Sequence, residues 1–365
     1  MKRIVSCIAA AALAINGNAI CLTPETASAA AATAQIMKTA ETLAPAAEDV
    51  QPDSIVASGL FGASLSNLQW SIDNLGVLRI SGEGSMGDWR TNVPPWKTRP
   101  EYTEQIKEVI IEEGVTDIKK ASFSNLPELR SATVPASVAR IEDEAFCSCP
   151  NLVEINIAEN PEQYIEGTRV FNFTPWFEAQ KQKNPFVIVN GILVGGDRYS
   201  KAPGVIPEGV RGIAEGSFLD ALVKSKPLII PESVTYISQE AFANCLNLSA
   251  IYIPASVESI ADDAFSFCLN LQTISVDSKN PNYCACNNVL MTKDQKKLIQ
   301  YPLGIDAETY TIPDGVTTTT DFALNSAKYL KKLILPDSLT QIGDYAFANC
   351  YEMDSSIIIP RYVNA

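Results

Sequence analysis

From Val115 onward the apolar positions repeat one phrase: a valine or leucine anchor, isoleucine three residues on, then a small residue and phenylalanine at seven and eight. It stands as Val138/Ile141/Ala145/Phe146, Val210/Ile213/Ser217/Phe218, Val234/Ile237/Ala241/Phe242 and Val257/Ile260/Ala264/Phe265. Val115/Ile118/Ala121/Phe123 carries its small residue one position early, and weaker copies follow at Val316/Thr319/Ala323/Leu324 and Leu339/Ile342/Ala346/Phe347. Val115 and Val138, Val234 and Val257, and Val316 and Leu339 are each 23 residues apart. A fixed period of this size marks a solenoid, in which no unit buries its apolar side alone and neighbours must stack.

Past the phenylalanine each unit goes on in the same way, most clearly in Phe242, Cys245, Leu248, Ile251, Ile253, Pro254. The alternation of Ile251-Tyr-Ile253 has period two, which predicts a strand with one buried face. Proline closes it, since it cannot donate to a sheet ladder. The stretch Glu240-Ala-Phe-Ala-Asn-Cys is too short for a full helix and predicts a tight turn or a short 3₁₀ segment.

The wording IP-x-S-V-x-x-I-x-x-x-A-F-x-x-C-x-x-L-x-x-I-x-IP resembles the BspA-like leucine-rich repeat family of bacterial surface proteins, over residues 109–365. Trp70, Gly76, Leu78, Ile80, Gly82, Gly84 and Met86 resemble the segment that precedes such arrays, so 59–108 is expected to form a small N-terminal β cap. Two apolar intrusions break the period: Phe171-Asn-Phe-Thr-Pro-Trp176 followed by Phe186 to Leu193, and Asn288 to Pro302. Asn-Gly and Lys-Asp turn chemistry predicts inserted β-hairpins near 184–200 and 284–302. The resemblance thus implies a β-rich leucine-rich repeat solenoid of parallel strands with hairpin insertions.

At the start, Met1-Lys-Arg precedes an apolar run from Ile4 to Ile15, and Ala27-Ser-Ala29 follows. This is the layout of a secretory signal peptide over 1–29, with an apolar run too short to span a bilayer. Cys7 and Cys21 invite a lipoprotein reading, but Asn18-Ala-Ile before Cys21 lacks the small residue a lipobox needs, and Cys7 comes too early. Residues 30–58 are rich in Ala, Thr, Pro and Glu without an apolar period, so a flexible leader is expected there. At the other end Ile359-Pro-Arg-Tyr-Val363 begins another unit, which raises self-association through an uncapped coil as an expectation.

Formal charge is −14, which argues against a nucleic-acid partner. The chain has 0 histidines, so Ser-His-Asp, Cys-His and His-ligated metal chemistry are excluded. Among carboxylates, Glu142, Asp143, Glu144, Asp262 and Asp263 fall in repeat turns, on a convex edge that offers no cleft for a glycosidase pair. Cys149, Cys245, Cys268 and Cys350 share the position three after phenylalanine, or its equivalent. They are expected to form an inward ladder of free thiols rather than disulfides. Cys147, Cys284 and Cys286 lie off that ladder; the two Cys-x-Cys pairs suggest zinc, but Cys149 points inward and several coils separate the pairs. No metal, cofactor or catalytic residue is assigned.

On each strand the position five before the next anchor is expected to face solvent: Ile110, Thr133, Val205, Ile229, Tyr252, Thr311, Ile334 and Ile358. A column of β-branched and aromatic side chains is a candidate docking stripe, led by Tyr252, Ile229, Ile334, Thr133 and Thr311. Trp70, Trp89, Trp96 and Trp176 stand outside the regular coils and are expected to plug the first coil and seat the insertions. What the resemblance implies is a non-catalytic, exported or surface-held adhesion protein for protein or glycan ligands, extracellular matrix among them. A carboxylate-dependent glycan-degrading enzyme and a structural spacer or assembly module of the cell envelope are the alternatives.

Overall fold

The computed structural model describes residues 54–88, 93–167, 169–196, 205–218, 228–354, 357, 359–361 and 363. The expected signal peptide with Cys7 and Cys21, most of the leader, Trp89 and Ile358 lie outside them. The described part belongs to one compact unit, Asp53–Ala365.

Each coil contributes two strands to two separate rows. In the first row Glu108–Ile111, Ser131–Val134 and Glu154–Ile157 pair in parallel, as do Leu228–Ile229, Ala250–Ile253 and Thr273–Val276, and then Thr309–Thr311 with Lys332–Ile334. Alternation decides their faces: Val109, Ile111, Ile251 and Ile253 are buried, while the residues between them are not. The second row is shorter. Val115–Ile118, Arg140–Ile141 and Tyr164–Ile165 pair in parallel, and so do Gly212–Ile213, Tyr236–Ile237 and Ser259–Ile260.

The third side is a corner built around phenylalanine, and it carries its own ladder. Phe123 N–H donates to the Ala145 carbonyl at 2.8 Å, Phe146 to Val170 at 2.9 Å, Phe218 to Ala241 and Phe242 to Ala264 at 2.8 Å. Ala121 and Asn125, flanking Phe123, donate to the next coil as well, at 2.9 Å each. Both have left-handed backbones, φ 56° and 55°, and the same pair of positions recurs as Glu144/Ser148, Glu240/Asn244 and Phe322/Ser326. Alternating hand points every second amide along the solenoid axis, so a turn does the work of a strand. Inside the corner the rings stack: Phe123 on Phe146 at 5.4 Å, Phe146 on Phe171 at 6.1 Å, Phe218 on Phe242 at 5.0 Å and Phe242 on Phe265 at 5.4 Å.

At the N-terminal end Ile55–Phe61, Leu68–Asp73 and Val77–Ser81 form an antiparallel meander whose last strand pairs in parallel with Glu108–Ile111. Its first strand starts at Ile55, ahead of the boundary drawn at 58. Trp96 is fully buried and stacks on Phe123 at 5.4 Å and 12°. Its indole N–H donates to the Ser122 carbonyl at 2.9 Å. In later coils the equivalent carbonyl accepts from a preceding phenylalanine amide, so Trp96 supplies both the ring and the donor of a missing coil. Lys97 Nζ adds bonds to Ala121 O at 2.6 Å and Ser124 Oγ at 2.9 Å, and burial lowers its pKa to about 8.

The two intrusions differ from each other. Phe186–Val189 and Ile192–Gly196 make the expected antiparallel hairpin, whose second strand joins the second row beside Gly212–Ile213. It is preceded by an α-helix, Pro175–Lys183, where turns and strands alone were expected. Thr174 Oγ1 accepts from Phe177 N–H at 3.2 Å and proline takes the first turn, which is helix-start chemistry. Trp176 seats on Phe171 at 5.0 Å and ends the first aromatic stack. The second intrusion is a meander of three strands, Tyr283–Cys286, Val289–Thr292 and Lys297–Gln300, not a simple hairpin. Its third strand pairs in parallel with Thr318–Thr319.

An Asn-Pro pair precedes each intrusion, directly in the second and by one second-row strand and the Phe171 corner in the first. Asn160 Nδ2 donates to Ala136 O at 2.9 Å and Val138 O at 3.2 Å; Asn280 Nδ2 donates to Pro254 O at 2.8 Å and Val257 O at 3.0 Å. Each asparagine thus closes the coil before it. The buried apolar residues fall into three clusters, divided near these intrusions.

Candidate recognition surface

The outward positions of the first row are held by strand register. Arg79, Ile110, Thr133 and Asn156 align across one sheet; Val205, Ile229, Tyr252 and Ser275 across a second; Thr311 and Ile334 across a third. Ile229 is 48% exposed, Ile334 41% and Val205 55%, and Thr133 and Thr311 are exposed too. Structure therefore brings Tyr252 beside Ile229 and Thr311 beside Ile334, while Thr133 stands on another sheet with Ile110. Arg79, Asn156 and Ser275 complete the columns. The last two were findable from spacing alone, 23 residues beyond Thr133 and Tyr252, but no proline closes their strands.

Tyr252 is half-buried, and its hydroxyl donates to Asp277 Oδ2 at 2.7 Å. That bond, with some desolvation and the carboxylate charge, pushes the phenol up to about 12. Asp277 is held below the usual carboxylate range by the Lys279 amide and by Tyr252. The ring is thereby fixed in orientation on the sheet, a preorganised contact rather than a reactive one.

Corner carboxylates serve mostly as links between coils. Glu142 accepts from Lys119 Nζ at 2.8 Å, Asp143 pairs with Lys120 at 2.9 Å, Glu144 with Arg169, and Asp262 with Lys297 at 2.9 Å. Glu215 has no such cation among the described residues; burial, then the charges of Asp143, Glu240, Asp263 and Glu166, raise its pKa to about 7. It lines an open cavity of about 480 Å³ with Lys119, Lys120, Arg140, Asp143 and Glu166. Among the described residues no group of three or more Cys, Asp or Glu side chains is placed to hold a metal ion.

The cysteine ladder has a sharper purpose than small apolar filling. Cys149 Sγ donates to Phe123 O, Cys245 to Phe218 O and Cys268 to Phe242 O, each at 3.1 Å, and Cys350 to Leu324 O at 3.2 Å. Each thiol satisfies the corner carbonyl of the coil before it. All four are free; three are buried and Cys350 is half-buried. Burial pushes the Cys149 thiol up to about 11, which removes it as a nucleophile near neutrality. Cys147 is a buried free thiol beside Ser148, and Cys284 and Cys286 are half-buried free thiols on one strand, Cys284 donating to Thr292 O at 3.3 Å.

Two strand rows, a turn corner in place of a helix, and a period of 23 residues define a leucine-rich repeat solenoid. The chain belongs to the BspA type leucine rich repeat region family, which matches in six copies over residues 101–178, 204–289 and 304–365. The two gaps between the matched stretches, 179–203 and 290–303, fall on the two intrusions. Among solved structures, the chain is similar to a leucine-rich repeat protein from Eubacterium ventriosum, with 25% identity over 81% of this chain and 71% of that one at a TM-score of 0.37. It is similar to the pneumococcal vaccine antigen PcpA, with 20% identity over 84% and 71% and a TM-score of 0.43. A leucine rich cell surface protein from Faecalibacterium prausnitzii shares 24% identity over 82% and 84%, with a TM-score of 0.41. No curated protein matches the chain. No helix among the described residues is long and apolar enough to cross a membrane.

Proposed function

We propose that this chain is an exported, non-catalytic recognition protein, held at the cell surface or released, that adheres to host or bacterial macromolecules through its first strand row. The partner is a protein or glycan, extracellular matrix proteins among them. The observation that carries this reading is the in-register column Val205, Ile229, Tyr252 and Ser275, where exposed apolar side chains and a fixed tyrosine share one face. Affinity would come from many modest contacts along the sheet. Export is supported by the Met1-Lys-Arg, apolar and Ala27-Ser-Ala29 sequence. The absence of histidine and the pairing of most corner carboxylates speak for binding rather than turnover.

The test is an array of matrix proteins and glycans probed with the parent chain and with Tyr252→Lys and Ile229→Lys. Loss of a ligand by about tenfold or more in both variants is expected for centrally placed contacts. Equal binding by parent and variants would refute the strand-row assignment, and turnover of any glycan on the array would refute the non-catalytic reading.

A further inference from the structure

On the corner side, away from the strand column, lies an open cavity of about 470 Å³. Its walls include Phe267, Leu269 and Phe322, with Glu240, Asp263 and Ser266 beside them. The Phe267 and Phe322 rings stand 6.1 Å apart at 53°, a wedge open to solvent, and Tyr345 extends it by stacking on Phe322 at 5.5 Å and 11°.

Three features of this cavity leave binding capacity unused, although Asp263 Oδ1 also accepts from the Glu240 amide of the coil before it at 3.4 Å. First, Ser266 is 4% exposed, and its Oγ has no hydrogen-bond partner. Ser124, which follows Phe123 as Ser266 follows Phe265, bonds to Ala121 O and receives Lys97. A buried hydroxyl left without a partner costs about 1–3 kcal/mol. Second, Glu240 and Asp263 have no lysine or arginine partner among the described residues, whereas the neighbouring Asp262 is held by Lys297. Third, Phe267 and Phe322 occupy left-handed corner positions, φ 59° and 57°, where coils away from this cavity place Asn125, Asn244, Ala121 or the exposed Phe173. A bulky ring pays about 1–2 kcal/mol there that asparagine largely avoids. Phe267 remains 37% exposed, so part of its ring is left open to an incoming group.

An aromatic wedge faced by two uncompensated carboxylates and an idle hydroxyl is complementary to a cation with several donors. We propose that this cavity receives an arginine side chain from a basic peptide segment of the partner. A guanidinium is planar, stacks on rings, and offers five N–H donors, enough to reach Glu240, Asp263 and Ser266 Oγ together. A neutral sugar ring would also stack but would leave the two charges unanswered. The formal charge of −14 steers a basic segment toward the chain. This deepens the recognition reading and rests on it only for the expectation of a protein partner; the cavity and the strand column are separate surfaces.

The experiment uses fluorescein-labelled peptides of sequence Gly-Ser-Arg-Gly-Arg-Ser-Gly, with counterparts carrying citrulline or lysine in place of arginine. Fluorescence anisotropy is read against the parent chain and against Glu240→Gln, Asp263→Asn and Asp314→Asn. Glu240 is exposed, so its variant keeps the fold and carries the test if Asp263→Asn does not. Expected is binding of the arginine peptide, with about tenfold or greater loss for citrulline, for Glu240→Gln and for Asp263→Asn, the scale of one charge-assisted bond. Weaker binding of the lysine peptide and an unchanged Asp314→Asn complete the expected pattern. Equal affinity for arginine and citrulline, equal or tighter binding of lysine, or indifference to Glu240→Gln would overturn the proposal. Maltoheptaose binding that is lost in Phe322→Ala would assign the cavity to sugars instead. Tyr252→Lys leaves this affinity unchanged, so failure of the strand-column reading and failure of the cavity reading are told apart.

Discussion

Replacing Trp96 by phenylalanine separates the two parts it plays at the head of the array. The ring that stacks on Phe123 is kept, but the indole N–H to Ser122 O is lost. That carbonyl then loses the hydrogen bond the indole supplied, worth about 0.5–1.5 kcal/mol. The smaller ring also gives up apolar burial worth roughly 1 kcal/mol, for a total near 1.5–2.5 kcal/mol. Because repeat arrays are stabilised by nearest-neighbour contacts, the loss should appear first in the adjoining coil rather than uniformly. Native-state hydrogen exchange read by mass spectrometry reports this directly. The amides of Phe123 and Asn125, which bond forward to Ala145 and Cys147, should exchange about 10- to 60-fold faster, at 1.4 kcal/mol per decade. Amides of the coil around Phe265 should keep the parent rate. A variant within about 0.5 kcal/mol of the parent, with unchanged exchange at Phe123 and Asn125, would refute the donor-substitution argument.

Two further tests probe the corner. Cys245→Ala removes the donor to Phe218 O whereas Cys245→Ser keeps one, so alanine is expected to cost about 1–3 kcal/mol more than serine in urea unfolding; an equal cost would reduce the cysteine ladder to packing. Glu215 has a folded pKa of about 7 against an ordinary 4.5, so the folded chain binds that proton more tightly than the unfolded one. Its contribution to stability is present below 4.5 and lost as pH rises through 7. Glu215→Gln should therefore raise the melting temperature at pH 8, with the gap closing toward pH 5. A gap that is constant with pH, or widest at pH 5, would count against the burial argument.

The repeat itself was legible because Phe242 and Phe265 are one period apart and their stacking follows from in-register coils. The small residue before each phenylalanine was visible too, but not its reason, which is that its carbonyl accepts from the coil before it. The left-handed corner pairs could not be read, since Ala121, Glu144, Asn125 and Phe322 share a backbone and no side-chain chemistry. Trp96 sits outside the period, so sequence placed it at the cap without revealing its bond to Ser122. The helix Pro175–Lys183 was missed although Thr174-Pro175 is a start signal, because Phe173 and Trp176 were assigned to a strand. Asn160-Pro161 and Asn280-Pro281 announce both intrusions and went unused. On the candidate surface, the first-row column followed from strand alternation, whereas the corner cavity depends on Phe267 and Phe322 meeting across the second intrusion, a contact no local spacing contains.

The division of the core into three clusters works like bulkheads in a hull. Unzipping that starts in one compartment meets, where an inserted hairpin or meander joins the second row, the edge of a cluster whose buried residues pack among themselves. A chain nicked or strained at one end can therefore surrender that compartment and keep the others watertight.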